Sequence, residues 1–274
     1  VDPKCNVMLS AYDLLSIPAE SIVLSTLDIK NVFHCVTLEQ FRKNENDKTY
    51  IYFTVPGSGT QKQYSVMPFG VADAPAFYQS LMQQVCVGLD NVVIYLDDIL
   101  VVTKDLDENK RLIKEILERL NKYKFKIKRQ KCKLFQSQLK FLGVIIDEKG
   151  IRPDKSKVDG IRNLDPPKSG RGIESYIGAV GYHSRFIKNY SYVMKDLQNL
   201  LNKKRAEKAE KKRWTPLSTN EKDLVNKEVK KINDALAVCI ALAHFDPQQE
   251  LLLYTDASKY CIAGALVNRN KEGD

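Results

Sequence analysis

The stretch VVIYLDDILVV, residues 92–102, decides how this chain folds. Apolar residues flank a short acidic centre, Asp97-Asp98, and that pattern marks a core strand or hairpin. Ionised carboxylates there cost several kcal/mol each unless they are paired or bound to a cation, and two in succession also repel. No arginine lies nearby in sequence to compensate. Strand residues alternate faces, so both acids reach one site only through a sharp turn at the pair. Asp-Asp at a hairpin tip also occurs as plain turn chemistry, and this segment alone leaves that reading open.

A third carboxylate shifts the balance. Asp28 ends another apolar run, SIVLSTLDI at residues 21–29, and meets Asp97 at one edge if the two strands are neighbours. Hard cations such as Mg²⁺ take carboxylates together with substrate phosphates, and two ions about 3.5–4 Å apart suit phosphoryl transfer. A formal net charge of +9 favours a polyanionic partner. The residues by themselves thus give an acidic two-metal site in a basic chain. They do not separate a polymerase from a nuclease.

Outward from these runs, residues 50–55 (YIYFTV) and 139–146 read as strands, and PGSG at 56–59 as a hairpin loop. Asp73-Ala74-Pro75 offers a helix start, and Thr103 offers a cap for a second helix with Leu112, Ile113, Ile116, Leu117 and Leu120 on one face. Strands and helices without a regular βαβ rhythm predict an α+β fold. Residues 122–133 (KYKFKIKRQKCK) alternate lysine with apolar residues, which predicts a sheet with a solvated lysine face; phosphate contact is the competing reading. Residues 173–201 read as mainly helical, 202–213 (NKKRAEKAEKKR) as a solvated linker or exposed helix end, 220–242 as a helix and 250–255 as a strand. The six cysteines form no CxxC pair, which argues for reduced thiols rather than a zinc site or disulfide scaffold. No apolar run approaches the roughly eighteen residues of a membrane span.

Several of these segments, taken together, resemble one family. STLDIKNVF (25–33), MPFGVADAPAFYQ (67–79), YLDDILV (95–101), KCKLF (131–135) and FLGVII (141–146) are similar in order and spacing to reverse transcriptases of retroviruses and LTR retrotransposons. Residues 165–191 resemble the thumb of these enzymes, 213–223 their connection, and YTDAS (254–258) the opening strand of their ribonuclease H domain. Phe69 stands where retroviruses commonly carry glutamine, so the resemblance leans toward LTR retrotransposons of the Ty3/gypsy type.

The resemblance implies a right-hand polymerase. Palm would be residues 1–150 with fingers inserted at about 36–73, then thumb at 151–201, linker and connection at 202–249, and the start of a ribonuclease H-like domain at 250–274. Asp28, Asp97 and Asp98 would be catalytic metal ligands for two Mg²⁺ ions, with Mn²⁺ as a substitute. Ile29 (through its carbonyl), Phe33, Phe69 and Gly70 would form the nucleotide pocket, with Phe33 discriminating against a 2′-hydroxyl. Tyr95, Phe141, Leu142, Gly143 and Arg185 would contact nucleic acid, whereas His183 is given no catalytic role. Implied partners are an RNA or DNA template with its primer and deoxynucleoside triphosphates. A homo- or heterodimer is allowed and no membrane is involved, with the cytoplasm (in a virus-like particle) or the nucleus as location. The family has a further finger segment ahead of the first palm strand, and ribonuclease H uses four carboxylates, of which Asp256 alone is matched. The resemblance therefore implies that full synthesis draws on residues beyond these 274, and ribonuclease H activity is not expected of them.

Overall fold

The computed structural model describes residues 23–37, 52–244, 249–257 and 262–268. Residues 21–22 and 50–51 of the expected strands, Ser258, much of the expected finger segment and the side chain of Phe33 lie outside the described residues. The chain divides into two compact units, Val1–Leu139 with His244–Asp274, and Lys140–Ala243.

The first unit is built on a four-stranded sheet ordered β4-β5-β1-β6, formed by β1 (Val23–Asp28), β4 (Val92–Tyr95), β5 (Asp98–Thr103) and β6 (Lys133–Gln136). The acidic run 92–102 is thus a hairpin, with Tyr95 paired to Asp98 across a two-residue turn. Helices α1 (Ala74–Val85) and α2 (Leu106–Lys122) cover one face. Leu27, Ile99 and Val101 join Tyr78, Met82, Leu112, Ile116 and Leu120 in a single core. Burying each such aliphatic side chain contributes about 1.5–3 kcal/mol. The two-residue strand period then turns Asp28 and Asp98 to the other face. A small hairpin, β2 (Tyr52–Thr54) with β3 (Gln61–Gln63), carries the expected PGSG loop at its tip.

Local chemistry sets the element ends. Pro75 sits in the first turn of α1, where its missing N–H costs nothing, and Asp73 occupies the cap position without a side-chain hydrogen bond. The cap of α2 is Asp105, which accepts from the Glu108 N–H at 2.8 Å. Thr103 instead ends β5, and its hydroxyl donates to the Asp105 carbonyl at 2.9 Å. Fully buried Asn109 ties α2 to the sheet. It accepts from Ser25 Oγ at 2.7 Å and donates to the Val23 carbonyl at 3.1 Å and Thr103 Oγ1 at 3.0 Å.

Residues 122–133 are not the predicted strand. They finish α2, pass through Lys124 at φ +61° and form a 3-10 turn at Arg129–Lys131 before β6 begins. Phe125 is drawn into the core, and the backbone of Lys126 and Lys128, on either side of Ile127, hydrogen-bonds to Lys30 and Asp28, so tertiary pairing overrides the alternation.

The second unit opens within a three-stranded sheet of β7 (Gln138–Phe141), β8 (Val144–Asp147) and β9 (Gly150–Pro153). The single strand expected over 139–146 is broken at Leu142 and Gly143, whose φ values are +46° and +77°. Helices α3 (Lys155–Arg162), α4 (Gly170–Gly181), α5 (Tyr190–Lys211) and α6 (Thr219–Ala237) pack around Ile173, Val180, Leu197, Leu201, Val225 and Ile232. The charge run 202–213 continues α5 to Lys211. Within it Lys204 is buried, with Glu221 at 2.8 Å and Glu207 at 3.1 Å. α6 stops at Ala237, and Leu242 pairs with Ile151 instead of extending the helix. A last antiparallel hairpin joins β10 (Leu251–Ala257), which includes Asp256, to β11 (Ile262–Asn268). Among the described residues no helix is long and apolar enough to cross a membrane.

Candidate active site

The sheet register brings the acids together. Asp28, last in β1, lies directly opposite Asp98, first in β5, and Tyr95 lies opposite Asp98 from the other side. Cross-strand partners share a face, so Tyr95, Asp98 and Asp28 form a row across three strands. Asp97 occupies the turn, and its carbonyl accepts from the Ile29 N–H at 2.9 Å. On the far side of β1, Lys128 N–H donates to the Asp28 carbonyl at 2.8 Å and Lys30 N–H to the Lys126 carbonyl at 2.6 Å, around an Ile29–Ile127 bridge. In that antiparallel pattern the N–H and carbonyl of Ile29 itself are directed away from Ile127. The Ile29 carbonyl therefore emerges on the side of Asp97.

The turn has a clamp that the sequence reading missed. Leu96 holds φ +51°, a left-handed conformation that costs a non-glycine residue about 1–2 kcal/mol. Its N–H donates to Gln79 Oε1 at 2.8 Å, while Gln79 Nε2 donates to the Ile94 carbonyl at 2.9 Å. One buried amide on α1 thus bonds the backbone on both sides of Tyr95, tying the end of β4 to the turn that leads into the acids. The available signal was an amide next to the apolar stripe of Tyr78, Met82 and Val85.

The electrostatics are those of a crowded acidic centre. Burial first, then Asp97 and Asp28, push the Asp98 carboxyl up to about 6, against the pull of Lys131 and Lys128. The side chain of Asp28 is only 13% exposed, and its buried Oδ1 has no hydrogen-bond donor. Lys128 Nζ stands 3.3 Å from that oxygen and Lys131 Nζ 3.5 Å from Oδ2. These two lysines belong to the run that the alternation had assigned to a solvated sheet face. Surplus negative charge and a donor-poor carboxylate oxygen suit a hard divalent cation. Among the described residues, however, no three His, Cys, Asp or Glu side chains are already gathered as a cation cage. Asp28 draws its counter-charge from lysine.

The nucleotide-pocket candidates occupy adjoining segments. A 3-10 turn at Val32–Cys35 follows β1 and contains Phe33. Met67 N–H donates to the Val36 carbonyl at 3.0 Å, and Thr37 bridges Val66, which brings residues 66–70 alongside that turn. Phe69 is largely exposed and meets the His34 ring edge-on at 5.1 Å, and Gly70 supplies φ +93°.

The remaining candidates lie in the second unit. Phe141 is buried at the end of β7, and Leu142-Gly143 form the turn to β8. Tyr182, just past α4, donates its hydroxyl to the Leu142 carbonyl, and a Cβ at Gly143 would stand 3.0 Å from that hydroxyl. Arg185 is exposed in the 3-10 turn that follows. His183 is buried, and burial lowers its pKa.

Known proteins are similar to this chain. Residues 4–146 match the family described as "Reverse transcriptase (RNA-dependent DNA polymerase)". The Tf2-3 and Tf2-4 transposon polyproteins of Schizosaccharomyces pombe are each 30% identical over 256 residues, covering 93% of this chain and 18% of the relative. The chain therefore spans less than a fifth of the length of those curated relatives. Among solved structures, a foamy viral protease-reverse transcriptase in complex with RNA/DNA hybrid is similar with TM-score 0.75 and 19% identity, covering 98% of this chain and 34% of that one. The same type of protein in complex with dsDNA gives TM-score 0.73 and 19% identity, covering 96% of this chain and 52% of that one. At these identities the likeness is one of fold.

Proposed function

The chain belongs to the reverse transcriptase (RNA-dependent DNA polymerase) family, and from that premise we propose that it extends a primer with deoxynucleotides on an RNA or DNA template, as part of a longer retrotransposon polyprotein. The observation that carries the reading is the row of Asp28 and Asp98 across β1 and β5 with Asp97 at the adjoining turn. Asp28, Asp97 and Asp98 would hold the divalent cations, with the Ile29 carbonyl as a further oxygen. Two Mg²⁺ ions, or Mn²⁺ in their place, would supply activation of the primer 3′-hydroxyl and stabilisation of the departing pyrophosphate.

The chain's own groups then position the reactants. Tyr95, in the same row as the acids, faces the primer terminus. Phe33 underlies the sugar and selects against a 2′-hydroxyl, with Phe69 and Gly70 closing the pocket. Phe141, Leu142 and Gly143 form a hairpin that supports the primer strand, and Arg185 contacts its phosphates. The corresponding division is palm at 1–150 with inserted fingers, thumb at 151–201, linker and connection at 202–249, and a ribonuclease H-like start at β10. Work in a cytoplasmic virus-like particle or in the nucleus fits this role.

Primer extension on RNA and DNA templates in Mg²⁺ tests the proposal. Asp97→Asn is expected to abolish extension while duplex binding persists; Mg²⁺-dependent extension by that variant would sink the metal assignment. The pairing of Asp28 with two lysines favours a second reading, a non-catalytic nucleic-acid-binding subunit of a dimer. Gel filtration and primer extension on one sample separate the two, because only the first reading predicts synthesis by the chain without a partner.

A further inference from the structure

Lys128 is placed with unusual care for a lysine. Its N–H is hydrogen-bonded to the Asp28 carbonyl, the Ile29–Ile127 bridge fixes the preceding residue, and only a third of its side chain is exposed. The ammonium stands 3.3 Å from Asp28 Oδ1, the buried oxygen that has no hydrogen-bond donor. Lys131, by contrast, is 63% exposed and approaches the other oxygen from solvent at 3.5 Å. A surface ion pair would be incidental. This pair is anchored by backbone beside one of three crowded acids, where screening is weaker.

We propose that Lys128 is an internal counter-ion that competes with divalent cations for Asp28 and so sets the cation affinity of the acidic row. The inference rests on the reading of that row as a cation centre. A cation approaching Asp28 meets a carboxylate whose charge is already opposed by an ammonium, and it must displace or tolerate that ammonium. Lys128 acts through Asp28 and is a positioning residue. Its removal leaves Asp28 more dependent on a bound cation. The loss of a lysine that merely supported the fold would weaken cation binding, so the direction of the change identifies the role.

The test is Mn²⁺ binding to the 274-residue chain without nucleotide or nucleic acid, read from the electron paramagnetic resonance signal of free Mn²⁺. Lys128→Met and Lys128→Gln, checked for native melting, are expected to bind Mn²⁺ at least about threefold more tightly than the parent chain. Lys128→Arg keeps the charge and should match the parent. Lys114→Met removes a charge from the exposed face of α2 and should also match it. Unchanged or weaker binding in the folded Lys128 variants overturns the proposal, and so does equal tightening by Lys114→Met. Asp97→Asn in the same assay separates the two layers. If it binds Mn²⁺ as well as the parent, the cation-centre reading fails and this inference falls with it. If it loses binding while the Lys128 variants fail to tighten, only this inference falls.

Discussion

Two hairpin turns carry much of the proposed chemistry, one at Leu96-Asp97 in the first unit and one at Leu142-Gly143 in the second. Both place a leucine in the left-handed region, and both are held by a side chain from a helical segment. Their ties differ. Gln79 is buried and makes two bonds, to the Ile94 carbonyl at the end of β4 and to the Leu96 N–H within the first turn, whereas Tyr182 is 41% exposed and reaches the second turn through the Leu142 carbonyl. The first turn also bears charge that the fold opposes. The second is neutral and includes a glycine suited to positive φ. A turn that must keep like charges together is clamped from inside, and an uncharged one is tied at the surface.

Breaking the clamps measures this difference. Gln79→Met leaves the Leu96 N–H and the Ile94 carbonyl without their partner, at a cost of about 2–4 kcal/mol, and should slow extension through a lower kcat. Denaturant unfolding and steady-state kinetics check both effects. Gly143→Ala forces a Cβ onto φ +77° and against the Tyr182 hydroxyl, and should cost about 1–2 kcal/mol. Substituting Ala for Gly160, which has no atom within 4 Å of its added Cβ, is the matched control.

The charge on the first turn has a pH signature. The Asp98 carboxyl is raised from 3.8 to about 6, chiefly by burial and then by Asp97 and Asp28, so the fold disfavours its ionised form. This group's contribution to stability is thus best below about pH 4 and declines as pH rises through about 6. Allowing for solvent screening, Asp98→Asn should stabilise the chain by about 1 kcal/mol at pH 7.5, with the gain vanishing near pH 4. Thermal melts at the two pH values read it; a gain that is the same at both contradicts the account. The smallest effect belongs to Tyr182→Phe. Loss of one partly exposed hydrogen bond should cost about 0.5–1 kcal/mol, and its unfolding midpoint should shift less than that of Gln79→Met.

The comparison also separates what sequence conveys from what it hides. Asp97-Asp98 stands out because apolar β-branched residues surround it, and Asp28 because it ends such a run. Those are local patterns with a known cost. The pattern at 122–133 was just as regular and gave the wrong element, since Phe125 joins the core and the neighbouring backbone pairs with β1. Gln79, Lys128 and Lys204 were hidden for a shared reason. Each is polar and ordinary in its own segment, and its meaning comes from a partner distant in sequence: the Leu96 turn, Asp28 and Glu221. Thr103 misled in a subtler way, because a hydroxyl two residues too early in the chain looks like a cap until β5 claims it.

The central claim is that the acids on β1 and β5 act as one catalytic centre, and Asp28→Asn tests it most directly. Single-nucleotide incorporation onto a preformed primer–template, in Mg²⁺, should fall by at least about 10²–10³-fold, the scale of single preorganised electrostatic groups, while affinity for the duplex is unchanged. Incorporation at the parent rate by a folded, duplex-bound Asp28→Asn chain would contradict the account.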